Sequence, residues 1–406
     1  MMWLACSRTR SGACSERLIT GQSLHARRVT TVCPVASHDV VVVGAGPAGL
    51  SAATRLRGAG MSVLVIDRSD SVGSAWQTRY DSFRLHTIRW LSGLPGMSIP
   101  TVFGPWVARD DFVAYLERYA RRFDIRPRFG VELQRLSAHD HDGWTLATSD
   151  GPLRTQRVVL ATGACTKPRI PNWSGRDTFE PPLIHSSQYR NPSPYRGQRV
   201  LVVGAGNSAA EIAADLAGAR DVTVEMAVRT PPTILRRDTH GVPTQPVGIA
   251  LRYAPPAIVN PLGGALRRIT IPDLSAYGLP RPKAPYSQFQ RTGTVPVLDH
   301  GFVAAVRSGA ITIRTAVMAL DGRDVIHADG FRSSPDAVVA ATGYTSGLHP
   351  ILGPLGLLDD RDLPTIGSRG GSEAVGLYTV GISIPLSGLL REIAIDVRRL
   401  VRAIAH

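Results

Sequence analysis

The chain has 406 residues, 43% hydrophobic and 19% charged, which is room for two or three domains with real cores and excludes a disordered protein as the default. Its formal charge of +14 invites a nucleic-acid or membrane surface, yet the lysines are confined to Lys167 and Lys283. The arginines are scattered, with no basic block and no aromatic-interleaved stripe, so no nucleic-acid partner is expected. The cysteines, Cys6, Cys14, Cys33 and Cys165, form no CxxC pair and no metal-ligand spacing, which argues against a disulfide scaffold, a zinc site or a dithiol redox centre. They suit a reducing compartment, and a cytoplasmic location is expected.

Residues 1–37 are rich in Arg, Ser and Thr and poor in acids, with weak strand patterning. That composition fits a transit peptide, a disordered tail or an early start codon equally, and the segment is expected to be dispensable. Folded sequence begins at "DVVVVGAGPAGLSAATRLRGAGMSVLVIDR", which reads as strand, turn, helix and strand. Gly44, Gly46 and Gly49 match GxGxxG: the first permits the tight turn, the second lets backbone approach a pyrophosphate, and the third lets helix pack on strand. The helix opening at Pro47 and Ala48 points its amides and the positive end of its dipole at the phosphates. The second strand ends in Asp67, followed by Arg68, at the expected place for the acid that bonds ribose hydroxyls. A carboxylate there accepts from a free 2′-hydroxyl and repels a 2′-phosphate, so FAD or NAD fits and NADP does not.

The unit recurs at "QRVLVVGAGNSAAEIAADLAGARDVTVEMAVRT". Gly204 and Gly206 hold the first two glycine positions, Asn207 and Ser208 open the helix, and Ala209 replaces the third glycine, a permitted variant. The following strand, expected over Val222 to Val228, ends in Arg229 and Thr230, which suit a 2′-phosphate. Glu225 inside that strand argues the other way, toward NADH in a shifted register; Arg229 is preferred. One turn is expected to hold a flavin dinucleotide and the other to deliver nicotinamide from NADPH. Further on, the uncharged run Ala337 to Leu358 is broken by Gly343, Gly347, Pro350, Gly353 and Pro354, and Tyr253 to Leu266 by Pro255, Pro256 and Pro261. Neither reads as a membrane span, and membrane contact is not expected.

Beyond the two turns the sequence resembles the flavin-containing monooxygenase superfamily, in particular its YUCCA-type branch and bacterial relatives, from about Asp39 to near the C-terminus. "GSAWQTRYDSFRLHT" is similar to the family segment in which a tryptophan and an Arg/His-rich strand wrap the flavin; Trp76, Tyr80, Arg84, Leu85, His86 and Thr87 match. The resemblance puts His86 beside the isoalloxazine ring as the catalytic candidate; a structural histidine bonded to backbone suits the position equally. Ala161-Thr162-Gly163 and Thr342-Gly343-Tyr344 resemble the paired strand-end motifs that close against the dinucleotide domains. "FEPPLIHSSQY" resembles the monooxygenase motif FxGxxxHxxx(Y/F), with Phe179, His185 and Tyr189 in place and Pro181 where glycine is usual; His185 is expected to act as a hinge. "TVPVLDHGFVAAVRSGAITI" is similar to a returning hairpin that completes the NADPH domain. "GLYTVGISIPLSGLLREIAIDVRRLVRAI" resembles the strand, turn and helix that close the flavin domain, with Gly381, Gly388 and Leu389 near the ring.

The fold class so implied is three-layer α/β, with two Rossmann-like dinucleotide-binding domains. An FAD domain of 38–170 plus 336–406 is interrupted by an NADPH domain of 171–335, which carries a helical excursion at about 240–290. The resemblance implies that NADPH reduces FAD and that O2 adds to the reduced flavin at C4a. The resulting species oxygenates a small amine, thioether or 2-oxo acid. The alternative is a flavoprotein NADPH oxidase or redox sensor without productive oxygenation.

Overall fold

The computed structural model describes residues 38–139, 143–239, 242–246, 249, 255–282, 295–383 and 385–405. The leading extension, 1–37, lies outside them, as does much of the excursion, including Lys283.

Four consecutive valines make β1 (His38–Val43) a strand buried on both faces. Side chains alternate across a strand, so Val40 and Val42 join Leu50, Leu56 and Val397 on one side, while Val41 and Val43 join Trp144, Leu146 and Leu352 on the other. Each buried valine contributes about 1.5 kcal/mol or more. The chain turns into α1 (Pro47–Gly58) and returns as β2 (Val63–Asp67), parallel to β1 with Val40 opposite Val63. After α2 (Arg109–Arg122) come β3 (Arg128–Phe129), β4 (Leu133–His139), β5 (Gly143–Thr148) and β6 (Gly151–Leu160), giving the order β3-β2-β1-β6-β5-β4. The first half of β6 pairs antiparallel with β5; its second half runs beside β1 toward the glycine turn.

A second sheet repeats the plan. It holds β7 (Leu183–His185), β8 (Arg199–Val203), α3 (Asn207–Ala217), β9 (Thr223–Ala227), β10 (Ile311–Arg314) and β11 (Ala337–Ala340). Its strands are all parallel, in the order β10-β9-β8-β11-β7. Val200 and Val202 pack toward Ile212 and Leu216 of α3; Leu201 and Val203 pack toward Leu320 and Val338. The chain then returns to the first sheet, where β12 (Leu377–Thr379) pairs with the second half of β6, and ends in α4 (Leu389–Ala405), whose Ile393, Val397 and Leu400 are buried in the same core as α1. The two crossings between sheets pair with each other, Tyr344 opposite Pro168 and Thr345 opposite Lys167.

Three expectations change. Strand β11 belongs to the second sheet, so by strand pairing that region runs past the expected boundary at 335 to Ala340. The supposed hairpin is a strand, Val297–Asp299, then a helix, Phe302–Arg307, then β10; the two strands lie in different sheets, each parallel to its neighbour. Residues 84–87 form no strand beyond a single bridge from Arg84 to Ala108. Within the excursion, the described residues include the helix Pro256–Thr270, with Pro261 inside it.

Two glycines in the first turn are fixed by contact. Gly44 has φ +116°, and a Cβ on it would lie 2.5 Å from the Ala161 carbonyl oxygen; a Cβ on Gly49 would lie 1.8 Å from the Gly44 carbonyl oxygen. A Cβ on Gly46 meets nothing within 4 Å. Gly49→Ala should therefore push α1 off the sheet and lower stability by about 2 kcal/mol in urea unfolding. Gly46→Ala should leave the flavin-free protein within about 0.5 kcal/mol of wild type and impair dinucleotide binding instead.

Candidate functional site

One cavity of about 1020 Å³ lies at the carboxyl ends of the parallel strands and takes its walls from both sheets' regions. Such strand ends are where open α/β sheets bind ligands. At the first turn Gly44, Gly46, Pro47 and Ala48 border it, whereas Gly49 is spent on packing. Asp67 and Arg68 border it at the end of β2. The Asp67 carboxylate is held in place: its Oδ2 accepts the Ala45 N–H at 2.5 Å, and its Oδ1 accepts the Ser69 N–H at 2.8 Å and hydroxyl at 2.6 Å. Arg68 stands 3.7 Å from Glu132 in an exposed pair of little energetic weight. Thr162 and Gly163 border the cavity beyond β6, and the Thr162 hydroxyl is buried without a partner. Open space above Gly46, an unpartnered hydroxyl, a positioned carboxylate and the positive end of α1 together fit a dinucleotide with free ribose hydroxyls.

Trp76, Leu85, His86 and Thr87 form the next stretch of wall, with Trp76 edge-on to Phe112 at 4.7 Å. Gly381 and Leu389 face the cavity from the C-terminal segment. A Cβ on Gly381 would lie 2.8 Å from the Ala48 Cβ, which keeps that segment against α1. Gln245, from the excursion, stitches this wall together: its Oε1 accepts the Ile88 N–H at 2.9 Å and its Nε2 donates to the Ser387 carbonyl at 2.8 Å.

The second turn copies the first. Gly204 has φ +142° and lies against the Ala341 carbonyl, 2.3 Å from where its Cβ would be; Gly206 has open space. Asn207 borders the cavity and ties down the strand Val297–Asp299, donating to the Pro296 carbonyl at 3.0 Å and accepting the Leu298 N–H at 2.8 Å. Gly204, Gly206 and Ser208 are not among the wall residues, nor are Arg229 and Thr230, which lie exposed past the end of β9. Glu225, the rival to Arg229, is buried and held by Arg314 through bonds of 3.0 and 2.6 Å. Tyr344 borders the cavity, with the Arg79 guanidinium 5.4 Å from its ring, while Thr342 donates to the Arg169 carbonyl.

Helix α3 also reaches across to the first region, which sequence reasoning missed. Glu211 accepts from His86 Nε2 at 2.7 Å on one oxygen and from the Tyr80 hydroxyl on the other. Burial works to raise this carboxyl, but His86, Tyr80 and Arg237 overcome it and the net shift is downward, so Glu211 stays ionised. Burial, reinforced by Glu211, raises the Tyr80 hydroxyl, which stays a donor. One turn on, Asp215 accepts from the buried Tyr189 at 2.7 Å. Asn207, Glu211 and Asp215 recur every four residues, so they share one helix face; that spacing was the available signal. The same bonds tie His86 to α3.

His185 is buried, with Nε2 3.0 Å from the Gly343 carbonyl, Nδ1 accepting the Ser187 N–H at 3.1 Å, and its ring edge-on to Tyr344. That pattern holds a neutral ring, and burial lowers its pKa from the usual 6.5. The unfolded chain takes up a proton near that value and the folded one resists it, so stability is full above about pH 6.5 and is lost as pH falls. His300, also lowered by burial, contributes in the same window. Melting temperature should drop between pH 7 and 5.5, and His185→Gln should flatten the drop while lowering the neutral-pH value.

Residues 41–241 match the family described as pyridine nucleotide-disulphide oxidoreductase. Among the described residues Cys165 stands alone as a free thiol, so they contain no dithiol. The chain is 33% identical over 348 residues to the probable indole-3-pyruvate monooxygenase YUCCA4 of Arabidopsis thaliana, spanning 84% of each chain. It is 34% identical over 354 residues to the indole-3-pyruvate monooxygenase YUCCA1 of Oryza sativa subsp. japonica, spanning 84% of this chain and 86% of that one. The solved flavin-containing monooxygenase from Stenotrophomonas maltophilia has a TM-score of 0.68 at 25% identity and covers 91% of this chain and 99% of its own. Among the described residues, no helix is long and apolar enough to cross a membrane. One cavity bordered by the first glycine turn and by Asn207 just after the second, with this likeness along most of the chain, identifies it as a member of the flavin-containing monooxygenase family of oxidoreductases.

Proposed function

We propose that this monooxygenase holds FAD at the first glycine turn, takes hydride from NADPH at the second, and acts on a small 2-oxo acid with an apolar body. The observation that carries the reading is the single cavity bordered by Gly46 of one turn and Asn207 of the other. The substrate class is supported by the relatives, which are indole-3-pyruvate monooxygenases by name. It is supported too by the wall beyond the second turn, where Leu235, Val295, Pro296 and Leu298 are apolar. The overall change is 2-oxo acid plus O2, NADPH and H⁺ to the acid one carbon shorter, CO2, water and NADP⁺.

FAD, when bound, supplies the carrier that accepts hydride and reacts with O2; the chain supplies placement and a dry enclosure. In this reading the α1 amides receive the pyrophosphate, Asp67 accepts from ribose, and the Thr162 hydroxyl gains the partner it lacks. Tyr80 and His86, through Glu211, keep the flavin-facing segment registered against the nicotinamide-side helix. Arg229 recognises the 2′-phosphate from the rim, a role open to it because Glu225 is already engaged.

Oxygen uptake with an arylpyruvate should give one CO2 per NADPH consumed. NADPH loss matched wholly by H2O2, across 2-oxo acids, amines and thioethers, would support the oxidase instead. Arg229→Ala should raise the KM for NADPH about tenfold more than for NADH, the low end for a charge-assisted bond at an exposed site. An equal effect on both would remove Arg229 from that role.

A further inference from the structure

Arg237 follows the short strand Ile234–Arg236 and borders the cavity. Its guanidinium carbon lies over the Trp106 ring, 4.5 Å from the centroid, a cation–π contact that holds the side chain at the wall. One Nη contacts His300 Nδ1 at 3.1 Å, while Nε is buried with no partner. Three carboxylates send their fields to it: Asp238, the next residue and the strongest, acts without a hydrogen bond or ion pair to it, Glu211 is engaged by His86 and Tyr80, and Asp299 by the Val303 N–H at 2.9 Å. Arg84, close enough to repel it, bonds the Trp106 carbonyl at 3.3 Å, so the two guanidinium groups share Trp106. Burial pushes the Arg237 pKa downward against the pull of those acids.

Other cations on the wall are differently placed: Arg68 faces Glu132, Arg79 faces Tyr344, and Lys167 lies exposed on the crossing opposite Thr345. A buried donor without a partner is costly until an acceptor completes it, and for a guanidinium a carboxylate does so most strongly. We propose that Arg237, held over the Trp106 ring, receives the carboxylate of the substrate, whose apolar body lies along Leu235, Val259, Pro296 and Leu298. The inference rests on the 2-oxo acid reading for the identity of that anion. A phosphate of the nicotinamide carrier offers the same chemistry and is the competing source.

The test measures binding to the FAD-loaded protein by calorimetry, for phenylpyruvate, its neutral methyl ester, phenylacetate and NADPH, in wild type, Arg237→Gln and Arg237→Lys. Arg237→Gln should weaken phenylpyruvate roughly 10- to 100-fold, and leave the ester and NADPH within about twofold. Arg237→Lys, which keeps the charge but loses the fork, should fall between. Equal loss of acid and ester would mean a packing role on Trp106, and loss confined to NADPH would give the guanidinium to the dinucleotide; either result overturns the proposal. Binding of phenylacetate that depends on Arg237, with no phenylpyruvate bound or turned over, would keep the anion site and remove the 2-oxo acid reading. A wild-type protein that binds no carboxylate removes the site itself.

Discussion

A carbonyl oxygen pressed against a glycine is the contact on which the molecule depends. Ala161 meets Gly44 in the first sheet, and Ala341 meets Gly204 in the second, each at a distance that no side chain tolerates. The contact lets a strand end, a tight turn and a helix start occupy the same few ångströms. Each helix therefore presents its first amides, and the positive end of its dipole, outward at the strand ends. Because the second strand-end motif leads through Tyr344 and Thr345 to pairing with Lys167 and Pro168, the two sites are joined by two short antiparallel crossings. A common cavity is the geometric result.

Helix α3 makes that arrangement stiff. Its N-terminal end follows the second glycine turn, and the Asn207, Glu211 and Asp215 face bonds three separate segments. Each bond to a charged group is worth on the order of 1.5–3 kcal/mol, and an ionised Glu211 left without His86 and Tyr80 would cost several. The bridge therefore resists sliding of one nucleotide site past the other. Hydride transfer needs donor and acceptor atoms within about 3–3.5 Å, so such stiffness bears directly on rate.

The glycine turns were legible because their constraint is local: three small residues, a strand before and an acid after leave few alternatives. Asp67 and Thr162 were legible as ends of buried strands. What escaped were choices made by tertiary contact. The run Ala337–Ala340 is apolar enough for either sheet, and only its register with β8 assigns it to the second. The helix Phe302–Arg307 is too short for its pattern to stand out from a strand. Glu211, Arg237 and Gln245 looked like ordinary surface residues of a helix and an irregular excursion. Their hydrogen-bond partners lie from 63 to 157 positions away, where spacing carries no signal. Arg229 is marked in the sequence by its place at a strand end, and the structure sets it exposed, outside the cavity wall.

The central claim is that the two turns form one electron path, from phosphorylated nicotinamide to flavin. Anaerobic rapid mixing of the FAD-loaded protein with NADPH tests it most directly. The account predicts loss of the oxidised flavin's visible absorbance at a rate that saturates with NADPH. A flavin that stays oxidised for minutes, while equilibrium dialysis finds both dinucleotides bound to the same chain, would contradict it.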